Sequence, residues 1–319
     1  MEFTVDHFAD LVEQAIAAFE FPAEPRGLYE PIRYTLEGGG KRLRPVLLLA
    51  AAGAYGLEPH KSMSQAIGIE MFHNFTLLHD DVMDNADVRR GRPTVHRRWS
   101  ANTAILSGDA MNTMAAQLIA RAPIRILPGV LYLFNRTAME VYEGQQLDMD
   151  YESRRDVTQE EYIEMIRLKT SVLLACACHL GALLAGADEN DQKSMYRYGE
   201  RLGLAFQLRD DFLDTYGDPT IFGKAIGGDI INEKKTWLWI TATQRDPKAM
   251  KEILDRRLSD HLKVDAVKEL YDRLGLPGES AALIDKYVQE AADALPESLP
   301  HDAAEFFRKL ALNLSSRQS

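Results

Sequence analysis

Two aspartate clusters stand out as candidate chemistry. The first, His79-Asp80-Asp81-Val82-Met83-Asp84, follows the apolar periodic run that ends at Leu78. On a continuing helix Asp80 and Asp84 share a face one turn apart, with Asp81 about 100° round from Asp80, so three carboxylates gather at one place. Their repulsion destabilises a helix and raises their pKa values unless a cation sits among them, and hard Mg²⁺ with its oxygen ligands suits such a group. Asp210-Asp211-Phe212-Leu213-Asp214 repeats the spacing D-D-x-x-D after a second helical run. One copy reads as a solvated acidic helix end. Two copies, each closing an apolar helix, favour metal binding.

Mg²⁺ dehydrates reluctantly and is held by one or two carboxylates plus substrate phosphates, whose remaining charge then calls for Arg and Lys. Three basic sets neighbour the aspartates: Lys41, Arg42 and Arg44 in G-G-G-K-R-L-R-P, Arg89, Arg90 and Arg92 in R-R-G-R-P, and Lys224, Lys234 and Lys235 after the second cluster. Planar guanidinium groups hold phosphate oxygens bidentately. The combination suggests two anionic groups, one clamped through Mg²⁺ and the other held directly by Lys and Arg.

The elements that must position these residues are helices. Apolar residues recur at three- and four-residue spacing, as in Phe8, Leu11, Val12, Ala15, Ile16 and Phe19, and strand-like alternation is nearly absent. Breakers at Phe21-Pro22, Gly38-Gly39-Gly40, Gly56 to Pro59, Ala122-Pro123, Pro128-Gly129, Gly217 to Gly228, Pro277-Gly278 and Pro296 to Pro300 predict about ten helices or more. No linker or repeat divides the chain, so residues 1–319 read as a single all-α domain. The Gly-, Asp- and Lys-rich segment from Thr215 to Thr236 reads as a functional loop.

Composition narrows the class. The chain is 46% hydrophobic, and 48 acidic residues against 37 Lys plus Arg give a net charge of -11, which disfavours nucleic acid as a partner. Cys176 and Cys178 lie two positions apart in an apolar stretch and read as small core residues rather than a disulfide or metal pair. The most apolar stretch, Val172 to Ala187, is shorter than a bilayer span and reads as a buried core helix. With no secretion signal at the N-terminus, the expected location is the cytoplasm.

Together these residues resemble the trans-isoprenyl diphosphate synthase family, the head-to-tail prenyl elongases. The resemblance rests on G-G-G-K-R-L-R-P at 38–45, D-D-V-M-D at 80–84, R-R-G-R-P-T at 89–94, G-Q at 144–145, K-T at 169–170, F-Q-L-R-D-D-F-L-D at 206–214, and G-K-x-x-G-G-D at 223–229 with K-K-T at 234–236. It implies an isoprenoid synthase-type helical bundle around a deep cavity, three Mg²⁺ ions and a homodimer. Carried over position by position, Asp80, Asp81, Asp84, Asp210 and Asp214 would hold Mg²⁺ on the allylic diphosphate, with Asp211 behind them, and Arg89, Lys169, Lys224 and Lys234 would contact that diphosphate. Lys41, Arg44, His73 and Arg90 would bind isopentenyl diphosphate, while Thr170, Gln207 and Phe206 would lie near the reacting carbons. His73, two turns before Asp80, is nearly on its face.

The implied reaction needs no side-chain nucleophile. Charge growing on the departing diphosphate is neutralised, the allylic C–O bond ionises, the alkene of isopentenyl diphosphate attacks, and a proton leaves to the released diphosphate. Phe75 precedes Asp80 by five residues, roughly 7.5 Å along a helix, and Thr76 by four. A bulky ring at Phe75 would limit the growing chain and resembles the short-chain, geranylgeranyl-type enzymes, giving a C20 product with C15 second. The alternatives are a longer-chain polyprenyl diphosphate synthase and a non-catalytic subunit of a heteromeric synthase. His79 beside Asp80 raises a metal phosphohydrolase reading, but the further spaced histidines that would need are not evident.

Overall fold

The computed structural model describes residues 2–218 and 226–316, and these are helical almost throughout. The helices are α1 (Val5–Ala17), α2 (Arg26–Leu36), α3 (Leu43–Ala54), α4 (Pro59–Met83), α5 (Val95–Arg98), α6 (Ala101–Ile119), α7 (Leu127–Ser153), α8 (Gln159–Ile166), α9 (Val172–Ala185) and α10 (Glu189–Tyr216). There follow α11 (Gly228–Ile231), α12 (Trp237–Arg245), α13 (Pro247–Asp255), α14 (Asp260–Arg273), α15 (Leu276–Asp293) and α16 (His301–Ser316). A two-residue hairpin, Val88–Arg89 paired antiparallel with Arg92–Pro93, accounts for the strands among the described residues.

Local chemistry sets many of the boundaries. Thr4, Ser100 and Thr236 each accept a backbone N–H at a helix start, and Thr158 with Glu161 forms a full capping box at α8. Two of the expected breakers fall elsewhere. Pro128-Gly129 and Pro277-Gly278 lie in the first turns of α7 and α15, where a missing proline N–H has no intrahelical partner to lose. The segment expected to be a loop from Thr215 is helical through Tyr216 and again over Gly228–Ile231.

Contacts divide the chain into two compact units, one comprising Met1–Asn135, Cys176–Met195 and Ser298–Ala303, the other Arg136–Ala175, Tyr196–Glu297 and Ala304–Ser319. Four of the boundaries fall inside helices, and the one between Glu297 and Ser298 falls in the loop between α15 and α16. In the first unit α3 is buried along almost its whole length, as its all-round apolar sequence requires, and α4 packs along α3 and α6. Close approach there depends on small residues. A Cβ on Gly68 of α4 would stand 3.1 Å from Ile119, and one on Gly181 of α9 would stand 2.3 Å from the Leu48 carbonyl.

In the second unit α8 runs into α9 through a π-helical turn, Arg167–Ser171. That turn is pinned on two sides by glycines. A Cβ on Gly144 of α7 would come within 2.3 Å of the Lys169 nitrogen, and one on Gly203 of α10 within 2.5 Å of the Ser171 Cα. The continuous helical stretch Gln159–Ala185 is 27 residues long, longer than the apolar run alone suggests, and by length and composition could cross a membrane. With 67% of its most apolar window buried in the protein, it is packed as a core helix. Cys176 and Cys178 are buried free thiols.

Candidate active site

The first aspartate motif closes α4. Asp80 is half-buried and Asp84 exposed, and the Asp84 N–H donates to the Asp80 carbonyl at 2.8 Å, so the two lie one turn apart as the spacing predicts. Asp81 goes elsewhere. It is 6% exposed, and its Oδ1 accepts from Arg89 Nε at 2.7 Å. Burial raises its pKa above the ordinary carboxylate value, against the opposing pull of Arg89. The helical rotation that separates Asp81 from its neighbours turns it into an open pocket lined also by Asn74, Leu77, Arg90, Arg92 and Thr94. The gathering of three carboxylates is therefore not seen, and among the described residues no three His, Cys, Asp or Glu side chains converge as a closed metal site. The Asp80 and Asp84 pair fits Mg²⁺ as that ion is usually held, through one or two carboxylates with phosphate supplying the rest.

His79 belongs to the packing. Its Nε2 donates to the Ile105 carbonyl at 3.0 Å, its ring meets Phe75 edge-on, and a Cβ on Gly108 would stand 2.3 Å from that nitrogen. His73 lies on another side of α4, where Arg44 Nη1 is 3.0 Å from its Nε2. Arginine can only donate, so this imidazole nitrogen accepts. Burial, then Arg44, Arg90 and Arg89, hold the His73 pKa well below 6.5, so the ring is neutral. Burial also brings Arg44 down to about 10, and its Nε is buried with no hydrogen-bond partner. Arg90 donates to the Gly39 carbonyl, and its guanidinium lies close to Gly40, whose positive φ of 138° suits glycine at that loop position. Lys41 is exposed beside this group.

The second motif closes α10, in the other unit. A cleft there is lined by Asp148, Tyr162, Lys169, Thr170, Gln207, Asp211 and Lys234. Lys169 and Thr170 project from the π-helical turn, a local irregularity common at functional sites. Lys169 Nζ pairs with Asp148, and although burial raises the Asp148 pKa, Lys169 and Lys234 outweigh it and hold the carboxyl below its ordinary value. Thr170 donates to Gln207 Oε1 at 2.9 Å, and Gln207 Nε2 to Asp211 Oδ1 at 2.8 Å. Tyr162 donates to Asp211 Oδ2. Burial, then the charge of Asp229, pushes the Asp211 carboxyl up to about 8. Each of its two oxygens thus accepts a side-chain hydrogen bond.

Asp210 and Phe206 are half-buried on α10. Asp214 Oδ2 accepts the Asp229 N–H at 2.9 Å, tying the end of α10 to the start of α11. Lys234 is exposed, and Lys224 lies outside the described residues. Asp148 and Tyr162 were not singled out from the sequence, and Asp229 entered only as the last residue of the G-K-x-x-G-G-D motif. A spacing signal existed for both of the missed residues: Asp148 is one turn past Gly144 of the G-Q pair, and Tyr162 two turns before Lys169.

The structure is thus helical almost throughout, with aspartate motifs closing two of its helices and with arginine, lysine and a neutral histidine near them. Residues 25–274 match the family model described as polyprenyl synthetase; the chain belongs to that family and is a prenyltransferase. It is 40% identical over 240 residues to the geranylgeranyl diphosphate synthase of Methanosarcina mazei, covering 74% of each chain. Among solved structures, a geranylgeranyl pyrophosphate synthase shares 41% identity at a TM-score of 0.93, with 100% of both chains covered. The polyprenyl synthase of Caulobacter crescentus CB15, crystallised with calcium and isoprenyl diphosphate, shares 29% identity at a TM-score of 0.88, covering 100% of this chain and 99% of that one.

Proposed function

We propose that this chain condenses isopentenyl diphosphate head-to-tail with allylic diphosphates in the presence of Mg²⁺, giving geranylgeranyl diphosphate (C20) as main product, with farnesyl diphosphate (C15) next. The observation that carries this reading is Arg44, a half-buried guanidinium whose near partner is a neutral histidine instead of a carboxylate, with its buried Nε–H left without a partner. Such a group calls for an anion. In this reading Lys41, Arg44, His73 and Arg90 bind isopentenyl diphosphate. Arg89, Lys169, Lys224 and Lys234 hold the allylic diphosphate.

Asp80, Asp84, Asp210 and Asp214 hold Mg²⁺, which when bound neutralises charge on the departing diphosphate. The relative crystallised with calcium and isoprenyl diphosphate supports a divalent ion in this chemistry. Thr170, its hydrogen committed to Gln207, leaves its oxygen lone pairs to face developing positive charge. Nothing in the scheme requires a side-chain nucleophile. The family match from 25 to 274 runs through both contact units, which supports their acting as one catalytic domain. The homodimer is carried over from the family resemblance.

The test is to incubate purified protein with Mg²⁺, labelled isopentenyl diphosphate and, separately, dimethylallyl, geranyl and farnesyl diphosphates, then dephosphorylate and size the alcohols. Elongated alcohol that needs both substrates and disappears with a chelator is expected. Hydrolysis alone, or a hydrocarbon product, would exclude elongation.

Phe75 sets a second expected result. It is 6% exposed within an edge-on aromatic cluster of Phe72, Phe75 and His79, with Phe134 against Phe72. Thr76, one turn before Asp80, bonds the His73 carbonyl through its hydroxyl. Phe75→Ala should empty ring volume and extend the product beyond C20, while costing about 3 kcal/mol or more of stability. Unchanged product length in a folded variant would remove Phe75 as the floor of the chain-binding tunnel.

A further inference from the structure

The run Lys41-Arg42-Leu43-Arg44 carries three cations, of which the proposed isopentenyl diphosphate site uses two. Arg42 turns inward. It is 3% exposed, and its guanidinium is met on every side: Nε donates to Glu13 Oε1 at 2.7 Å, Nη1 to Glu70 Oε1 at 2.8 Å, and Nη2 to the Leu36 carbonyl at 2.6 Å. Glu70 is 2% exposed and is itself held by Asn74 Nδ2, which donates to the same oxygen at 2.9 Å.

Burying an ion pair is a weak source of stability, because desolvation offsets most of the attraction, and a well-packed apolar side chain would serve the core equally. What the pair supplies is position. Arg42 has φ of 46°, a left-handed conformation that strains a residue with a Cβ, and it stands at the start of α3 just after Gly39 and Gly40, both at positive φ. Anchoring its side chain to α1 through Glu13 and to α4 through Glu70 fixes this backbone, and with it the directions in which Lys41 and Arg44 leave the loop. The same turn of α4 serves both arginines: Glu70 and Asn74 secure Arg42, and His73 receives Arg44.

We propose that Arg42, clamped by Glu13 and Glu70, is a positioning residue that presents Lys41 and Arg44 to isopentenyl diphosphate. The proposal rests on the assignment of that substrate to these residues. Its test is steady-state kinetics with each substrate varied in turn, on Arg42→Met, which keeps an apolar stem, and on Glu70→Gln, which keeps an acceptor for Arg42 but removes the charge.

The expected result is a rise of about 10-fold or more in KM for isopentenyl diphosphate with Arg42→Met, and a smaller rise with Glu70→Gln. The KM for the allylic substrate and kcat at saturation should stay within about twofold. Should Arg42→Met fail to fold, Glu13→Gln carries the same test, since Glu13 is 48% exposed at its side chain and its loss leaves the Glu70 contact in place. Equal movement of both KM values, or a fall in kcat alone, would mean that the cluster only stabilises the fold and would overturn the proposal. A wild-type enzyme that elongates no primer would instead overturn the functional assignment beneath it.

Discussion

Asp80→Asn and Asp84→Asn should each lower kcat by roughly 10³-fold, about 4 kcal/mol of transition-state stabilisation, while leaving the fold intact. Both carboxylates are at the end of α4 with at least partial exposure, and asparagine keeps their volume and removes their charge. Asp81→Asn should behave differently, although it stands between them in the motif. Its carboxylate is buried on Arg89, so the substitution breaks a largely buried pair and should lower stability by about 1–3 kcal/mol, less than a fully buried pair because Arg89 is 35% exposed at its side chain. It should also weaken binding of the allylic substrate by freeing Arg89. The measurement that separates the two roles is activity titrated against Mg²⁺. The concentration for half-maximal activity should rise for Asp80→Asn and Asp84→Asn and stay near wild type for Asp81→Asn. A shift confined to Asp81→Asn would reverse the assignment.

The difference between Asp80 and Asp81 shows what was legible in the sequence. Helical spacing places Asp80 and Asp84 on one face, as the structure has them, but the expected gathering of Asp81 with that pair does not occur, because Asp81 is buried on Arg89. What Asp81 meets off that face depends on a hairpin eight residues later, which helical periodicity does not encode. Arg42 is the same case. In the sequence it is one of three interchangeable cations, and only Glu13 and Glu70, 29 and 28 positions away, make it structural. The helices themselves were legible because apolar spacing is local. Pro128-Gly129 and Pro277-Gly278 misled because proline marks a boundary equally well from the first turn of a helix as from the loop before it. The π-helical turn under Lys169 and Thr170 had no local signature. It is packed instead by glycines from α7 and α10, far along the chain.

Gly144→Ala follows from that packing and should be among the most damaging small substitutions in the chain. A Cβ there would lie 2.3 Å from the Lys169 nitrogen and 2.7 Å from both the Leu168 carbonyl carbon and the Lys169 Cα. These are backbone atoms, so no side chain can swing aside, and α7 must move away from the π-helical turn. The expected cost is about 3 kcal/mol, or roughly 6–12 °C in Tm. Activity should fall further than stability alone requires, because the displaced turn carries Lys169 and Thr170, and because Asp148, which pairs with Lys169, lies one turn along α7. The comparison is Gly129→Ala on the same helix, whose Cβ would meet only Leu183 Cδ2 at 4.0 Å. Alanine there should be neutral or stabilise by up to about 1 kcal/mol through helix propensity. Thermal melts and kcat of the two variants settle the point: a large drop for Gly144→Ala alone supports glycine as the spacer that seats the lysine. Matching melting temperatures would show that α7 yields at no cost, and the close approach would then have no part in fixing Lys169.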